Sequence, residues 1–166
     1  RSAGPRFEIG YKDFQSALPH LQALTEAGLE ADVRAAYDWL TKNSSVGDNV
    51  ACIGYCMGGR ASFLANSAVP LKAAISFYGG HIPTLLHRAV SLSAPMLLVW
   101  GELDTHIPAE QRQQVTKAMR DASKEYVEVI FSNAGHGFFC DARQSYEPSA
   151  ALLAWDMTRS FLDARM

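Results

Sequence analysis

The chain has 166 residues, of which 48% are hydrophobic and 19% are charged, and its formal net charge is −2. This length and composition are typical of one soluble globular domain, so we expect a single domain over residues 1–166. Its 15 Lys and Arg against 17 Asp and Glu, with no basic run, give no electrostatic footprint for nucleic acid. The longest apolar run, residues 95–100, is too short to span a bilayer, so we expect no membrane partner.

The cysteines and the N-terminus indicate a cytoplasmic protein. Three cysteines, an odd number without metal-like spacing, argue against a disulfide framework and against a metal site. The first residues lack the charged region, apolar core and cleavage site of a signal peptide. Because the chain begins at Arg1, without methionine, in a loop-like stretch, we expect a fragment or a trimmed product.

The first half of the chain predicts two helices, a strand and a third helix. A short helix is predicted around Tyr11 to Ala23. From Glu30 to Lys42 the apolar residues recur at helical spacing, and residues 43–45 end the run. Residues 50–55 form a short apolar run suited to a strand that is buried on both faces. Residues 58–66 then predict a helix.

The second half predicts three more strands, with helices after the last two. The strands are expected at residues 71–78, 95–100 and 126–131, and Pro108 and Pro148 each open a helix. Strands that alternate with helices at this spacing predict an α/β fold with a parallel sheet. Such sheets place their chemistry at the carboxyl ends of the strands. The tryptophans Trp39, Trp100 and Trp155 are expected in the core.

Three chemically active side chains follow the ends of predicted strands. Cys56 follows the first strand, Asp104 the third and His136 the fourth. A nucleophile, a carboxylate and an imidazole are therefore expected at one end of the sheet. Their order along the chain is that of the α/β-hydrolases.

The glycines around Cys56 indicate a nucleophile elbow. In such an elbow the reactive residue occupies a strained turn between strand and helix. The positions two before and two after it are crowded by the strand and the helix, so that only glycine or a very small residue is expected to fit there. Gly54 and Gly58 hold these positions. The following helix favours a thiolate at its N-terminus. The backbone N–H of Met57 is expected to donate to the oxyanion.

Each of these residues also has an ordinary structural interpretation. Cys56 alone could be a small buried apolar residue, Asp104 a cap for the helix that Pro108 opens, and His136 a hydrogen-bonded loop histidine. Their joint placement, in this order and at three separate strand ends, favours function.

The sequence resembles the dienelactone hydrolase family. The resemblance is carried by GYCMGG at residues 54–59, GELD at 101–104, AGHGF at 134–138 and the C-terminal stretch 140–155. It implies a three-layer α/β-hydrolase-like fold, in which helices flank a parallel sheet. It also implies that Cys56 is the nucleophile, His136 the base and Asp104 its orienting acid, with no metal or organic cofactor.

The family's N-terminal portion is missing from this sequence. In the family that portion carries the first strands, a loop that supplies a second oxyanion N–H, and a glutamate near the resting nucleophile. One sheet edge is therefore expected to be open and to be covered by a missing N-terminal segment or by another copy in a homo-oligomer. Residues 1–5 resemble the family loop that carries a substrate-binding arginine, which would make Arg1 a substrate residue.

Four further residues are candidates for binding substrate. Tyr78 and His81 follow the second strand and either line the site or are an ordinary strand-end aromatic and a solvated histidine. His106 follows Asp104 by two residues and contacts either substrate or only the protein surface. Where the dienelactone enzymes have a substrate-binding arginine, this chain has Cys140, and the nearby Arg143 either replaces it or pairs with a neighbouring carboxylate.

The sequence thus predicts a hydrolase that cleaves a small-molecule lactone or carboxylic ester through a cysteine nucleophile, of the carboxymethylenebutenolidase type. A cysteine elbow also occurs in glutamine-amidotransferase-like folds, but the order of Asp104 before His136 argues against them. The alternative from another class is a catalytically silent or fragmentary α/β-hydrolase domain that serves assembly.

Overall fold

Helices and strands alternate along the part of the chain that the computed structural model describes, which is residues 8–10, 13–45 and 47–166. Within these residues helices follow each of four strands except the second, which a 3-10 helix follows. In chain order the elements are α1 (Phe14–Gln22), α2 (Glu26–Asn43), β1 (Ala51–Tyr55), α3 (Met57–Ala68), β2 (Ala73–Phe77), the 3-10 helix (Ile82–Ser91), β3 (Met96–Gly101), α4 (Ala109–Asp121), β4 (Tyr126–Phe131) and α5 (Pro148–Asp163).

The strands form one sheet in which spatial neighbours are also neighbours along the chain, in the order β1-β2-β3-β4. The pairings are parallel and place Tyr55 beside Phe77, Phe77 beside Val99 and Gly101 beside Phe131. The carboxyl ends of these strands therefore lie side by side. The predicted parallel sheet is confirmed.

Helices cover both faces of this sheet. Leu97 pairs with Ile75, the neighbour of Ser76, so Leu97 and Ser76 point to opposite faces. Helix α3 packs on the face of Ser76, because a Cβ added at Gly59 would lie 2.6 Å from Ser76 Oγ. Helix α5 packs on the other face, where its Phe161 and Leu97 line a common cavity. The fold is therefore the predicted three-layer α/β arrangement of the α/β-hydrolases.

Polar caps determine where the first two helices begin. The Thr25 hydroxyl accepts a hydrogen bond from the backbone N–H three residues later, so α2 begins four residues before the predicted Glu30. Asp13 caps α1 in the same way. Tyr11, where a helix was predicted to begin, lies outside the described residues.

The 3-10 helix Ile82–Ser91 is not predicted by the sequence pattern. Arg88 in this segment donates to the carboxylates of Glu26 and Glu30, which attaches the segment to α2. These contacts join residues about sixty positions apart, so no local periodicity indicates them.

The three tryptophans differ in burial. Trp100 on β3 is 1% exposed, as predicted, whereas Trp39 on α2 is 67% exposed and Trp155 on α5 is 41% exposed. The prediction that Trp39 and Trp155 belong to the core is therefore wrong for the described chain. Each lies on a helix whose other side packs inward, α2 against α3 and α5 against β3, through residues such as Leu40 and Phe161.

Both end strands of the sheet, β1 and β4, pair on one side only among the described residues. Among the described residues β1 pairs only with β2, and its Ile53 and Tyr55 are 37% and 38% exposed. The predicted open edge is present there, and what covers it stays a prediction. In the same described ranges, none of the helices is both long and apolar enough to cross a membrane.

Candidate active site

Cys56 lies on a strained turn between β1 and α3. Its φ of 55° and ψ of −117° are in a region that residues with a side chain rarely adopt. Two backbone hydrogen bonds hold the turn: Cys56 N–H donates to the Phe77 carbonyl at 3.0 Å, and Gly59 N–H donates to the Cys56 carbonyl at 2.9 Å. The backbone therefore has the strained strand-to-helix geometry that the sequence predicts for a nucleophile elbow.

Close packing around Cys56 requires glycine at positions 54 and 59, but not at position 58. A Cβ added at Gly54 would lie 1.8 Å from the Gly58 carbonyl oxygen, so only glycine fits at position 54. A Cβ at Gly58 would meet no atom of the described neighbours within 4 Å, so the prediction of crowding there is wrong. Gly59 is crowded instead, with the Cα of Gly79 2.7 Å from an added Cβ.

The turn after β3 supplies a buried carboxylate. Asp104 is 5% exposed, and its Oδ1 accepts hydrogen bonds from the backbone N–H groups of His106 at 2.8 Å and Ile107 at 3.2 Å. Pro108, not Asp104, is the N-cap residue of α4. The carboxylate thus orders its own turn and leaves Oδ2 for another partner.

The turns after β3 and β4 contact each other through their backbones. Leu103 N–H donates to the Ala134 carbonyl at 2.9 Å, and Glu102 N–H donates to the Phe131 carbonyl at the same distance. A Cβ at Gly101 would lie 2.2 Å from the Ala134 oxygen, so a side chain there would push the turns apart. This contact brings the segment that carries His136 beside the segment that carries Asp104.

The structure brings the three predicted catalytic side chains together. His136 Nδ1 lies 2.8 Å from Asp104 Oδ2, and His136 Nε2 lies 3.1 Å from Cys56 Sγ. The rings of Tyr78 and His106 pack edge-on against the imidazole, with centroids 5.2 Å and 4.9 Å away. The imidazole is thereby held between a carboxylate and a thiol.

The electrostatics of this group favour a charged thiolate and imidazolium. Burial raises the pKa of the Cys56 thiol, but the hydrogen bond and charge of His136 and the Met57 N–H outweigh burial and leave that pKa below its ordinary value. Burial lowers the pKa of His136, yet hydrogen bonds to Asp104 and Cys56 raise it to about 9. Burial also opposes ionisation of Asp104, and the His136 contact holds its pKa below the ordinary value.

A cavity of about 410 Å³ opens beside the thiol. One wall is aromatic, where the rings of Tyr55 and Phe139 stack with centroids 5.3 Å apart. The cation of Arg143 also lines the cavity, and its Nη1 lies 2.9 Å from the position of a Cβ on Gly137. The lining residues are Tyr55, Cys56, Tyr78, Gly137, Phe139, Cys140 and Arg143.

The predicted substrate residues have different positions. Tyr78 and Arg143 line the cavity, and burial raises the pKa of the Tyr78 hydroxyl, so that hydroxyl stays neutral. His106 is exposed and contacts the His136 ring. His81 is exposed in a left-handed turn before the 3-10 helix and does not line the cavity. Arg1 lies outside the described residues.

Sequence reasoning did not identify Tyr55, Phe139 or Cys140 as cavity residues. Tyr55 adjoins Cys56, and the other two follow His136 within four residues, so proximity to the predicted catalytic positions was the available signal. Which side of a strand or turn faces a cavity depends on the neighbouring elements, which the sequence pattern does not specify.

A cysteine on a strand-to-helix elbow, with a histidine and an aspartate at the ends of later strands of a parallel sheet, defines a protein of the α/β-hydrolase type. The profile of the dienelactone hydrolase family matches residues 9–166. The chain belongs to the dienelactone hydrolase family.

Two curated relatives carry provisional enzyme names. A carboxymethylenebutenolidase of Yersinia pestis is 33% identical over 126 residues, which cover 70% of this chain and 47% of the relative. A 2-oxo-3-(5-oxofuran-2-ylidene)propanoate lactonase of Bradyrhizobium is 28% identical, with 86% of this chain and 61% of the relative covered. The chain thus spans about half to three-fifths of the length of these relatives.

Solved structures share the fold. A provisionally named dienelactone hydrolase from Klebsiella pneumoniae superposes with a TM-score of 0.79 at 25% identity, covering 86% of this chain and 63% of that one. A dienelactone hydrolase-like promiscuous phosphotriesterase from metagenomic libraries superposes with a TM-score of 0.85 at 22% identity, covering 98% of this chain and 72% of that one. The second similarity concerns the fold alone.

Proposed function

We propose that this protein is a thiol hydrolase that cleaves a lactone or carboxylic ester, with Cys56 as nucleophile, His136 as acid and base, and Asp104 as its orienting partner. The observation that carries the proposal is the pair of contacts made by one imidazole, 3.1 Å to Cys56 Sγ and 2.8 Å to Asp104 Oδ2. A nucleophile, a base and an orienting acid in hydrogen-bonding reach are what acyl transfer requires.

Acylation begins with the thiolate. Cys56 Sγ attacks the carbonyl carbon, and the carbonyl π electrons move to oxygen to form a tetrahedral oxyanion. The Met57 backbone N–H, at the first residue of α3, is the proposed donor to this oxyanion, and one such donor contributes about 10²- to 10³-fold to the rate. The carbon–oxygen bond then breaks, and His136 Nε2–H gives its proton to the leaving alkoxide.

Deacylation reverses the roles of the imidazole. Neutral His136 takes a proton from water through Nε2 as the water oxygen attacks the thioester carbon. Collapse of the second tetrahedral intermediate expels the Cys56 thiolate and releases the acid. Asp104, bonded to Nδ1, keeps the ring in the orientation that both steps need and stabilises the imidazolium.

The cavity supports a small, partly unsaturated substrate. Its aromatic wall of Tyr55 and Phe139 suits a planar ring, and the Arg143 cation in its lining suits a carboxylate on that ring. Tyr78 and His106, which both contact the His136 ring, are proposed to limit the space beside the leaving group. The names of the two curated relatives, a carboxymethylenebutenolidase and a lactonase, support a lactone as the substrate.

The experiment that tests this function is hydrolysis of a p-nitrophenyl ester series and of a dienelactone by the unmodified chain and by Cys56→Ala and His136→Ala. Both substitutions are expected to reduce kcat/KM to the background rate. Cys52→Ala is the matched control, because that thiol lies on β1 and burial raises its pKa. Its activity is expected to stay near that of the unmodified chain.

The outcomes separate the hydrolase from its alternative. Turnover that depends on Cys56 and His136 but not on Cys52 supports the proposal, and the ratio of lactone to ester rates identifies the substrate class. A chain that neither turns over any of these substrates nor reacts at Cys56 faster than an ordinary thiol would support the silent domain.

A further inference from the structure

We propose that Arg112 is a positioning residue for the catalytic group: from α4 it holds the turn after β3, and through that turn it sets Asp104 against His136. The inference rests on the proposed function. Arg112 touches neither the cavity nor the reacting atoms.

Arg112 makes two directed contacts with the residues that precede Asp104. Its side chain is buried, with the residue 4% exposed. Nη1 donates to the Gly101 carbonyl at 3.1 Å, and Nη2 donates to Glu102 Oε2 at 2.6 Å. A planar guanidinium can form both bonds at once with little freedom to rotate, which a flexible ammonium cannot.

The contact of Arg112 with Gly101 reaches the segments that carry Asp104 and His136. The Gly101 carbonyl that Arg112 holds also accepts a hydrogen bond from Asp104 N–H at 3.4 Å. The same glycine packs against the backbone of Ala134, two residues before His136. The guanidinium of Arg112 therefore binds the backbone at the place where the turn that carries Asp104 contacts the turn that carries His136.

Because Arg112 is buried, its charge must be compensated by the groups that contact it. A cation removed from water is tolerated only where paired and hydrogen-bonded. The Glu102 side chain, which remains 49% exposed, forms the ion pair, the Glu128 carboxylate on β4 also interacts with the charge of Arg112, and the Gly101 carbonyl is the neutral acceptor. A purely stabilising role would need only the ion pair, whereas the bond to Gly101 attaches the cation to the turn itself.

The test compares Arg112→Met, which removes both bonds, with Arg112→Lys, which keeps the charge. In Arg112→Met the Asp104 carboxylate is expected to be held less firmly against His136. This should reduce the imidazolium population at His136 and hence the thiolate population at Cys56. At about pH 6.5, iodoacetamide alkylation of Cys56 in Arg112→Met should fall about 3- to 10-fold, the equivalent of 0.5 to 1 pH unit in the pKa of the thiol. We expect kcat to fall with KM little changed, and Arg112→Lys to recover part of both losses.

Alkylation is measured by mass spectrometry of separate peptides, so that Cys56 is distinguished from Cys52 and Cys140. Val115→Ala is the control for lost stability, because Val115 lies on the same helix and is 1% exposed. It should lower the unfolding temperature and leave the pH profile of Cys56 alkylation unchanged. Glu102→Gln keeps the contact to Gly101 and should lose less than Arg112→Met.

An Arg112→Met protein that is folded and whose Cys56 reacts as in the unmodified chain would overturn the inference, as would a Val115→Ala protein with an equal shift. If Arg112→Met does not fold, an Arg112→Lys profile identical to that of the unmodified chain overturns it. The proposed function fails separately, because it requires turnover that depends on Cys56 in the unmodified chain.

Discussion

At the scale of single residues, the site depends on how one imidazole is shared between two anions. His136 bonds Asp104 through Nδ1 and Cys56 through Nε2, so the proton on each ring nitrogen has an acceptor. The burial of the thiol alone would make it a poor nucleophile. The adjacent imidazolium reverses that effect, and the reactivity of Cys56 is therefore a property of the pair.

We expect Cys56 to react with iodoacetamide at a pH where an ordinary thiol does not. Since the pKa of Cys56 is lowered and that of His136 is raised to about 9, the charged pair exists from below the usual thiol pKa up to about pH 9. His136→Gln should move the midpoint of alkylation upward and slow the reaction at about pH 7 by about tenfold or more. Equal profiles for the two proteins would contradict the paired thiolate.

At the scale of elements, the elbow depends on the approach of α3 to β1. Two glycines of the same motif have different surroundings: Gly54 contacts the carbonyl of Gly58, whereas a side chain on Gly58 would point into open space. The first glycine is thus required by packing. The second is helical, and its lack of a side chain lowers helix propensity.

We therefore expect opposite results for two alanine substitutions in one motif. Gly54→Ala should displace α3 relative to β1, abolish hydrolysis and lower the unfolding temperature. Gly58→Ala should fold with a free energy of unfolding unchanged or higher by up to about 1 kcal/mol, because alanine is the better helix former. Thermal unfolding and ester hydrolysis measure both effects, and a Gly58→Ala protein as damaged as Gly54→Ala would refute this view of the elbow.

At the scale of the whole molecule, the strand-end chemistry was accessible from the sequence and much of the packing was not. The runs at residues 50–55, 71–78, 95–100 and 126–131 identify parallel strands, and these place Cys56, Asp104 and His136 at one end of the sheet. The exposure of Trp39 could not be predicted, because it depends on what packs outside α2. The role of Arg112 could not be predicted from the sequence pattern, because its contacts connect α4 with the end of β3.

The buried pair of Asp104 and His136, for which we propose a catalytic role, also contributes to folding stability in a pH-dependent way. The lowered pKa of Asp104 contributes stability above the ordinary carboxyl pKa, which is lost as the pH falls through the folded value. The raised pKa of His136 contributes stability that is complete below about pH 6.5 and is lost as the pH rises through about 9. The two contributions overlap most fully from about pH 4 to 6.5.

Asp104→Asn should consequently lower the free energy of unfolding most in this window, by about 2 kcal/mol, with a smaller loss near pH 9. Denaturant unfolding at several pH values measures it. Asp121→Asn is the control, since it removes an exposed ion pair with Lys117 on α4 and should cost less than about 1 kcal/mol at any pH. A loss that does not vary with pH would show that Asp104 contributes only its hydrogen bonds.

The open edge of β1 gives a further expectation for the isolated chain. Ile53 and Tyr55 are exposed on β1, whose outer side has no strand partner among the described residues, and such an edge favours association with another β-strand. We expect light scattering to give a mass above 18.2 kDa at high concentration, and Ile53→Lys to reduce it. Val90→Lys, at an exposed site in the 3-10 helix, is the control and should not reduce the mass. A mass of one chain at all concentrations would contradict this.

The different lengths of chain between each strand and its proposed catalytic residue limit how this site can change in evolution. Cys56 follows the last residue of β1 directly, whereas Asp104 and His136 lie three and five residues beyond the ends of β3 and β4. One residue gained or lost inside β1 would turn its side chains to the opposite face and move Cys56, the proposed nucleophile, away from the imidazole. Insertions and deletions should therefore accumulate in the connections between elements. An alignment of relatives should show no gap from Ala51 to Gly59.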